Sequence, residues 1–211
     1  MAAMCELVTG MCRDGIRALN SNDQKLADEV VSRDAQVDDL EVELAERCLR
    51  FLALYAPKAF ELRYAVAVSR MINDFERIAD HSKAVARQVH DHYCPPILAQ
   101  LPDFISLTDL VGNMLDEAVQ AFFKSDVLKY ADLVKKDLAV GEYQRGINQR
   151  LVDIIAQETN NIPAAVALIN VVRRLERIAD HAKSVAMLIP YMVNGTVMRH
   201  KDKSIDADSD Y

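Results

Sequence analysis

The sequence predicts an all-α protein built as two tandem, pseudo-symmetric three-helix bundles. Three observations carry that prediction. The block Glu76-Arg77-Ile78-Ala79-Asp80-His81 returns letter for letter as Glu176-Arg177-Ile178-Ala179-Asp180-His181. The match extends outward through Val66-Ala67 and Val166-Ala167, Lys83 and Lys183, and Val85-Ala86 and Val185-Ala186. Self-similarity at a fixed displacement is the signature of two copies of one structural unit. No stretch alternates at period two, so strands are not expected. Six Gly, six Pro and no Trp in 211 residues leave a composition led by good helix formers.

Turn signals are few and well spaced. Asn20-Ser21-Asn22-Asp23 closes a first helix over about 3–20 and opens a second over 23–55, since Asn, Ser and Asp cap helix ends. Ala56-Pro57 separates that helix from a third over 58–93. The segment 95–102, from Pro95-Pro96 to Pro102, reads as a Pro-rich linker between a first repeat, 1–94, and a second, 103–192. The second repeat divides at Ser125-Asp126 and Asn160-Asn161-Ile162-Pro163 into helices 103–124, 126–159 and 162–192. Residues 193–211 end in a charged stretch poor in apolar residues and are expected to be disordered. Helices longer than about 30 residues reach roughly 45 Å and must bury an apolar stripe, and short connections make their neighbours antiparallel.

Charge and composition exclude several classes. With 32 acidic against 25 basic residues the net charge is −7, which argues against a nucleic-acid partner. The cysteines Cys5, Cys12, Cys48 and Cys94 lack paired spacing and read as buried thiols of a reducing compartment. No apolar run approaches the roughly 20 residues that span a bilayer, and the N-terminus lacks a signal-peptide layout, so a cytoplasmic protein is expected.

The chemistry lies in the acids. In the second helix Ala27, Val30, Ala45, Cys48 and Leu52 fall on one line at about 100° per residue, and Asp34, Asp38 and Glu41 interrupt it. In the third helix Glu76 and Asp80 share a side with Ala65, Ile72 and Ala79. A hairpin about Pro57 sets Asp38 opposite Glu76 and Asp34 opposite Asp80, so four carboxylates converge. The second repeat sets Asp137 against Asp180, with Gly141 where the fourth acid would stand. Facing carboxylates repel at several kcal/mol in a low dielectric unless protonated or neutralised. A cation is the economical counter-charge, and oxygen ligands suit Mg, Mn, iron or zinc. The competing reading is an ion-pair ladder in which Arg77 and Lys83 neutralise the acids; duplication and the interrupted stripe favour metal.

His81 and His181 point about 100° away from the adjacent Asp, which disfavours ligation of the same ion and leaves them supporting the ligands from outside, interfacial or merely exposed. The Glu-x-x-His signature of di-iron bundles, a phosphate-cradling Gly-rich loop, a nucleophile elbow and Cys/His metal spacing are absent from the sequence. No catalytic residue is assigned.

Leu62-Arg63, the two Glu-Arg-Ile-Ala-Asp-His blocks, and the upstream Asp34-x-x-Val37 and Asp137-x-x-Val140 pairs together resemble the PhoU family, over roughly residues 4–192. The resemblance implies two pseudo-symmetric three-helix bundles, spectrin-repeat-like, that often dimerise. It implies multinuclear metal clusters, with iron or zinc, on Asp34, Asp38, Glu76 and Asp80 and on Asp137, Glu176 and Asp180. It further implies a non-enzymatic negative regulator of phosphate-starvation signalling and phosphate uptake, coupling a phosphate ABC transporter to a sensor histidine kinase. Gly141 and an abruptly starting first helix depart from the pattern. Two alternatives accompany it: an accessory domain of a sodium/phosphate transporter, and a carboxylate-bridged di-metal enzyme.

Overall fold

The computed structural model describes residues 1–91 and 95–198. Among them eight α-helices occur: α1 (Ala2–Ser21), α2 (Gln24–Ser32), α3 (Asp34–Tyr55), α4 (Phe60–Asp91), α5 (Pro95–Leu98), α6 (Asp103–Lys124), α7 (Lys129–Gln157) and α8 (Ile162–Asn194), with a 3-10 turn, Thr159–Asn161, before α8. No strand occurs among the described residues. The all-α expectation holds. α1, α2–α3 and α4 form the first bundle, and α6, α7 and α8 the second.

The caps explain the boundaries. The chain leaves α1 through Asn22 in the left-handed region (φ 56°), and Asp23 then caps α2 by accepting from the Leu26 N–H at 3.0 Å. Ser125 (φ 54°) ends α6, and Gly195 (φ 77°) ends α8, where the left-handed conformation costs a glycine little. Pro163 sits in the first turn of α8, where its missing N–H is no loss.

The second predicted helix, 23–55, is two helices. Ser32 Oγ donates back to the Glu29 carbonyl at 2.8 Å, and the Arg33 N–H spreads across the Glu29 and Val30 carbonyls at 3.3 and 3.2 Å. A hydroxyl competing for the ladder bends a helix. Arg33 anchors the break by pairing with Asp14 of α1 at 2.7 Å. The predicted linker also carries structure: Pro95–Leu98 forms a helical turn, and Ile97 and Leu101 are buried. In the C-terminal stretch α8 continues to Asn194 and Met198 packs partly against the core, while 199–211, like Cys94, lies outside the described residues.

One continuous core joins the bundles. α4 lies along α8, and α1 reaches α6, so the repeats meet through the helices that carry the duplicated block. Residues 71–86 and 171–186 have the same sequence of buried, half-buried and exposed positions, residue for residue. Gly15 permits the close approach of α1 to α4, because a Cβ there would stand 3.0 Å from the Ser82 carbonyl oxygen. Cys5 and Cys12 are free thiols pushed by burial up to about 11 and about 12.

The two bundles are covered unequally. Along α7, Ile147, Leu151 and Ile154 are buried, with Leu101 and Ile147 lining one shallow groove and Gln100 and Ile154 another. The matching α3 positions, Leu44, Cys48 and Phe51, are half-buried, and the same seam ends on Tyr55, 72 % exposed. α3 buries only Val37 fully. No helix among the described residues is long and apolar enough to cross a membrane.

Candidate functional site

Each repeat holds a small acid–lysine cluster where the helix before the hairpin meets the helix after it. In the first, the break at Arg33 makes Asp34 the leading residue of α3, where the positive end of the helix dipole favours a carboxylate. Lys83 reaches back from α4 and places its Nζ 2.6 Å from Asp34 Oδ2 and 3.0 Å from Asp80 Oδ1. Arg77 covers the outer side, with Nε 3.3 Å from Glu76 Oε2 and Nη1 3.7 Å from Asp80 Oδ2. The Lys83 and Asp34 side chains are only 18 % and 21 % exposed, so this is no solvated surface pair. Hydrogen bonds to charged groups in such settings contribute about 1.5–3 kcal/mol each.

The second cluster repeats the first. Lys183 bridges Asp137 of α7 and Asp180 of α8, standing 3.1 Å from Asp180 Oδ1. Arg177 flanks it, with Nε 3.5 Å from Glu176 Oε2 and Nη1 3.4 Å from Asp180 Oδ2. The lysine and arginine of the repeated block therefore serve the same partners twice.

The electrostatics separate the acids. Burial raises the Glu76 carboxyl above its ordinary range; neighbouring Asp80 and Glu41 add to that, and Arg77 opposes it. Burial likewise raises Glu176, with Asp180 and Asp137 adding and Arg177 opposing. Burial also pushes Asp80 up, but the Lys83 hydrogen bond and charge overcome it and hold the carboxyl low. Burial pulls both lysines down, and their carboxylate partners outweigh it, so Lys83 and Lys183 stay firmly charged.

Asp34, Glu76 and Asp80 thus share one cluster, and Asp137, Glu176 and Asp180 the other. Asp38 stands apart: it is exposed, and the α3 charge felt at Glu76 is that of half-buried Glu41, one turn on. At Gly141 an added Cβ would meet only Arg145 Nη1, at 3.6 Å, so the backbone leaves room there for the side chain the second repeat lacks.

Where the ammonium groups sit decides whether a metal cluster fits. A cation serving Asp34 and Asp80 must lie between their oxygens, and Lys83 Nζ lies there; Lys183 does the same for Asp137 and Asp180. Among the described residues no three His, Cys, Asp or Glu side chains converge as ligands of one ion. As folded, the donor set does not fit the multinuclear iron, zinc, manganese or magnesium cluster that the acids suggest by themselves.

The histidines meet each other between the repeats. His81 and His181 have ring centroids 5.9 Å apart at an interplanar angle of 34°. His81 Nδ1 lies 3.2 Å from Arg174 Nη1, and a guanidinium only donates, so Nδ1 accepts and the proton of the neutral ring sits on Nε2. His181 Nδ1 lies 2.9 Å from Asp74 Oδ1 and donates to it. Burial, then the Arg174 charge and His181, pull His81 down to about 4. Sequence reasoning passed over Asp74 and Arg174. The signal was present: they stand at the same position of the two copies with opposite charge.

Arg63 is a further residue whose role emerges in the fold. It donates to the Met192 and Val193 carbonyls at 3.3 and 3.1 Å and so caps the C-terminus of α8 from the other repeat. A cleft of about 340 Å³ opens between α4 and α8, with Arg70, Asp74, Ser184 and Tyr191 in its wall and no acid or lysine of either cluster lining it.

Known proteins with this arrangement are readily found. The family model for the PhoU domain matches twice, over residues 1–89 and 104–189, one match per repeat. The chain is 31% identical over 198 residues to the phosphate-specific transport system accessory protein PhoU homolog of Aquifex aeolicus, covering 94% of this chain and 90% of that one. It is 27% identical over 194 residues to the corresponding accessory protein PhoU of Escherichia coli, covering 92% and 80%. The crystal structure of PhoU from Pseudomonas aeruginosa superposes with a TM-score of 0.85 at 30% identity, over 92% of this chain and 94% of that one. The regulatory protein PhoU from Streptococcus pneumoniae, at 22% identity and a TM-score of 0.81 over 92% of each chain, shares the fold. With both repeats matched in sequence and in structure, the chain belongs to the PhoU family.

Proposed function

We propose that this protein is a cytoplasmic regulatory accessory subunit of phosphate transport. It restrains phosphate uptake and represses phosphate-starvation signalling by binding a phosphate ABC transporter and a sensor histidine kinase, acting by contact rather than by catalysis, and as a homodimer. The observation that carries the reading is the match of both repeats to PhoU proteins, the relatives being named as accessory proteins of a phosphate-specific transport system. The two acid–lysine clusters support it, because they hold long antiparallel helices in one register and so present a fixed helical surface to partners.

Complementation of a bacterium lacking its own phosphate-transport accessory protein tests the reading. The chain should restore repression of a phosphate-starvation reporter in high phosphate and lower phosphate uptake. Constitutive reporter expression, with the folded chain present at normal levels, would refute it.

A further inference from the structure

We propose that Lys83 and Lys183 are tethered counter-cations that take, in each repeat, the place a metal ion would hold between the acids of two helices. Three features of the molecule lead there. Each lysine stands three residues after the motif Asp, so the device is duplicated with the block itself. Each Nζ contacts one carboxylate on its own helix and one on the preceding helix, the cross-link a bridging metal would otherwise make. Finally, the charges nearly balance: Lys83 and Arg77 face Asp34, Glu76 and Asp80, and Lys183 and Arg177 face Asp137, Glu176 and Asp180.

An ammonium and a metal dication exclude one another at this spot. Metal–oxygen bonds of about 2.0–2.2 Å to both carboxylates would put the ion within van der Waals contact of Nζ, with like charges facing in a poorly solvated pocket. Metal can enter only after the lysine leaves and gives up two charged hydrogen bonds. Because the ammonium is attached to the chain, it is present at a high effective concentration whatever the supply of metal. The clusters consequently close without metal, and a metal must compete for them. This inference rests on the clusters alone and does not depend on the phosphate reading.

The full chain, purified without a metal-affinity tag, provides the test. Elemental analysis should find iron, zinc and manganese well below one equivalent per cluster, and excess EDTA should leave the melting temperature unchanged. The Lys83→Met, Lys183→Met double variant should melt about 5–10 °C lower. Added zinc or manganese should raise its melting temperature by several degrees while leaving the wild type unmoved. That metal rescue separates a cation's role from mere packing of the lysine stems. Wild-type protein carrying stoichiometric metal, with a melting temperature that falls on chelation, would overturn the proposal whether or not the variant folds. A folded double variant with unchanged stability, or one that metal does not rescue, would overturn it as well.

Discussion

Asp74 and Arg174 occupy the same position in the two repeats, carry opposite charges, and each holds the histidine of the other copy. Duplication made His81 and His181 equivalent, and this single charge difference makes them unlike. Arg174 forces His81 to accept through Nδ1, whereas Asp74 lets His181 donate through the same atom. The interface between the repeats is therefore asymmetric, with a cation on one histidine and a carboxylate on the other.

A pH dependence follows. His81, held at about 4 against an ordinary 6.5, is neutral in the fold, whereas the unfolded chain takes up its proton first. The stability it contributes is fully present above 6.5 and is lost as pH falls toward 4. Arg174→Gln removes the charge that is the second-largest cause. The His81 imidazole, followed by NMR, should then titrate higher, while burial still keeps it below 6.5. An unmoved titration would show that Arg174 does not act on His81.

Glu76 and Glu176 behave in the opposite sense. A raised carboxyl binds its proton more tightly in the fold, so its contribution is present below the ordinary 4.5 and is lost as pH rises through the raised value. Ionising either carboxyl in the fold therefore carries a cost. Replacing both by Gln should raise the melting temperature at pH 7 by on the order of 1–3 °C. The gain should shrink below pH 4.5, where the wild-type carboxyls carry their own protons. Calorimetry at the two pH values checks it.

The core of each repeat has a matching aromatic or aliphatic anchor. Phe75 and Leu175 are both fully buried at equivalent positions. Phe75→Ala should cost about 3–5 kcal/mol and Leu175→Ala about 2–5 kcal/mol, the lost transfer energy plus the cavity left behind. Urea unfolding monitored by circular dichroism reads both. Because one core runs through both bundles, each variant should still unfold in a single transition.

The unequal covering of the hairpins has a mutational signature. Tyr55 is 72 % and Leu54 69 % exposed, and substituting either with Lys should change stability by no more than about 0.5 kcal/mol. Leu151 is buried in the equivalent seam of α7, and Leu151→Asp should cost more than about 4 kcal/mol or abolish folding. Cys48→Asp, at the matching half-buried position of α3, should be far milder. Paired denaturation curves compare them.

Much of the architecture was legible because helices declare themselves locally. Asn22-Asp23, Ser125 and Pro163 mark their boundaries through cap chemistry that needs no tertiary partner. The break at Arg33 was not legible, because it depends on Ser32 diverting a carbonyl and on Asp14 of another helix holding the arginine. The burial of Ile97 and Leu101 was hidden for a similar reason: Pro-rich composition signals a connection, not what that connection packs against. At the clusters, spacing alone distinguished Glu76 and Asp80 from their neighbours. It could not choose Glu41 over Asp38, which differ by less than one turn and face solvent differently only once α3 is seated.

What the sequence determined by itself was the duplication, the all-helical class and the acids worth attention, since each is a matter of order and period along one chain. Tertiary structure alone decided what neutralises those acids. A lysine side chain is long and rotatable, so its partner is set by the helix packed opposite, not by its own position in the sequence. The same holds for Asp74 and Arg174, whose opposite charges acquire meaning only where α4 and α8 bring the two histidines face to face.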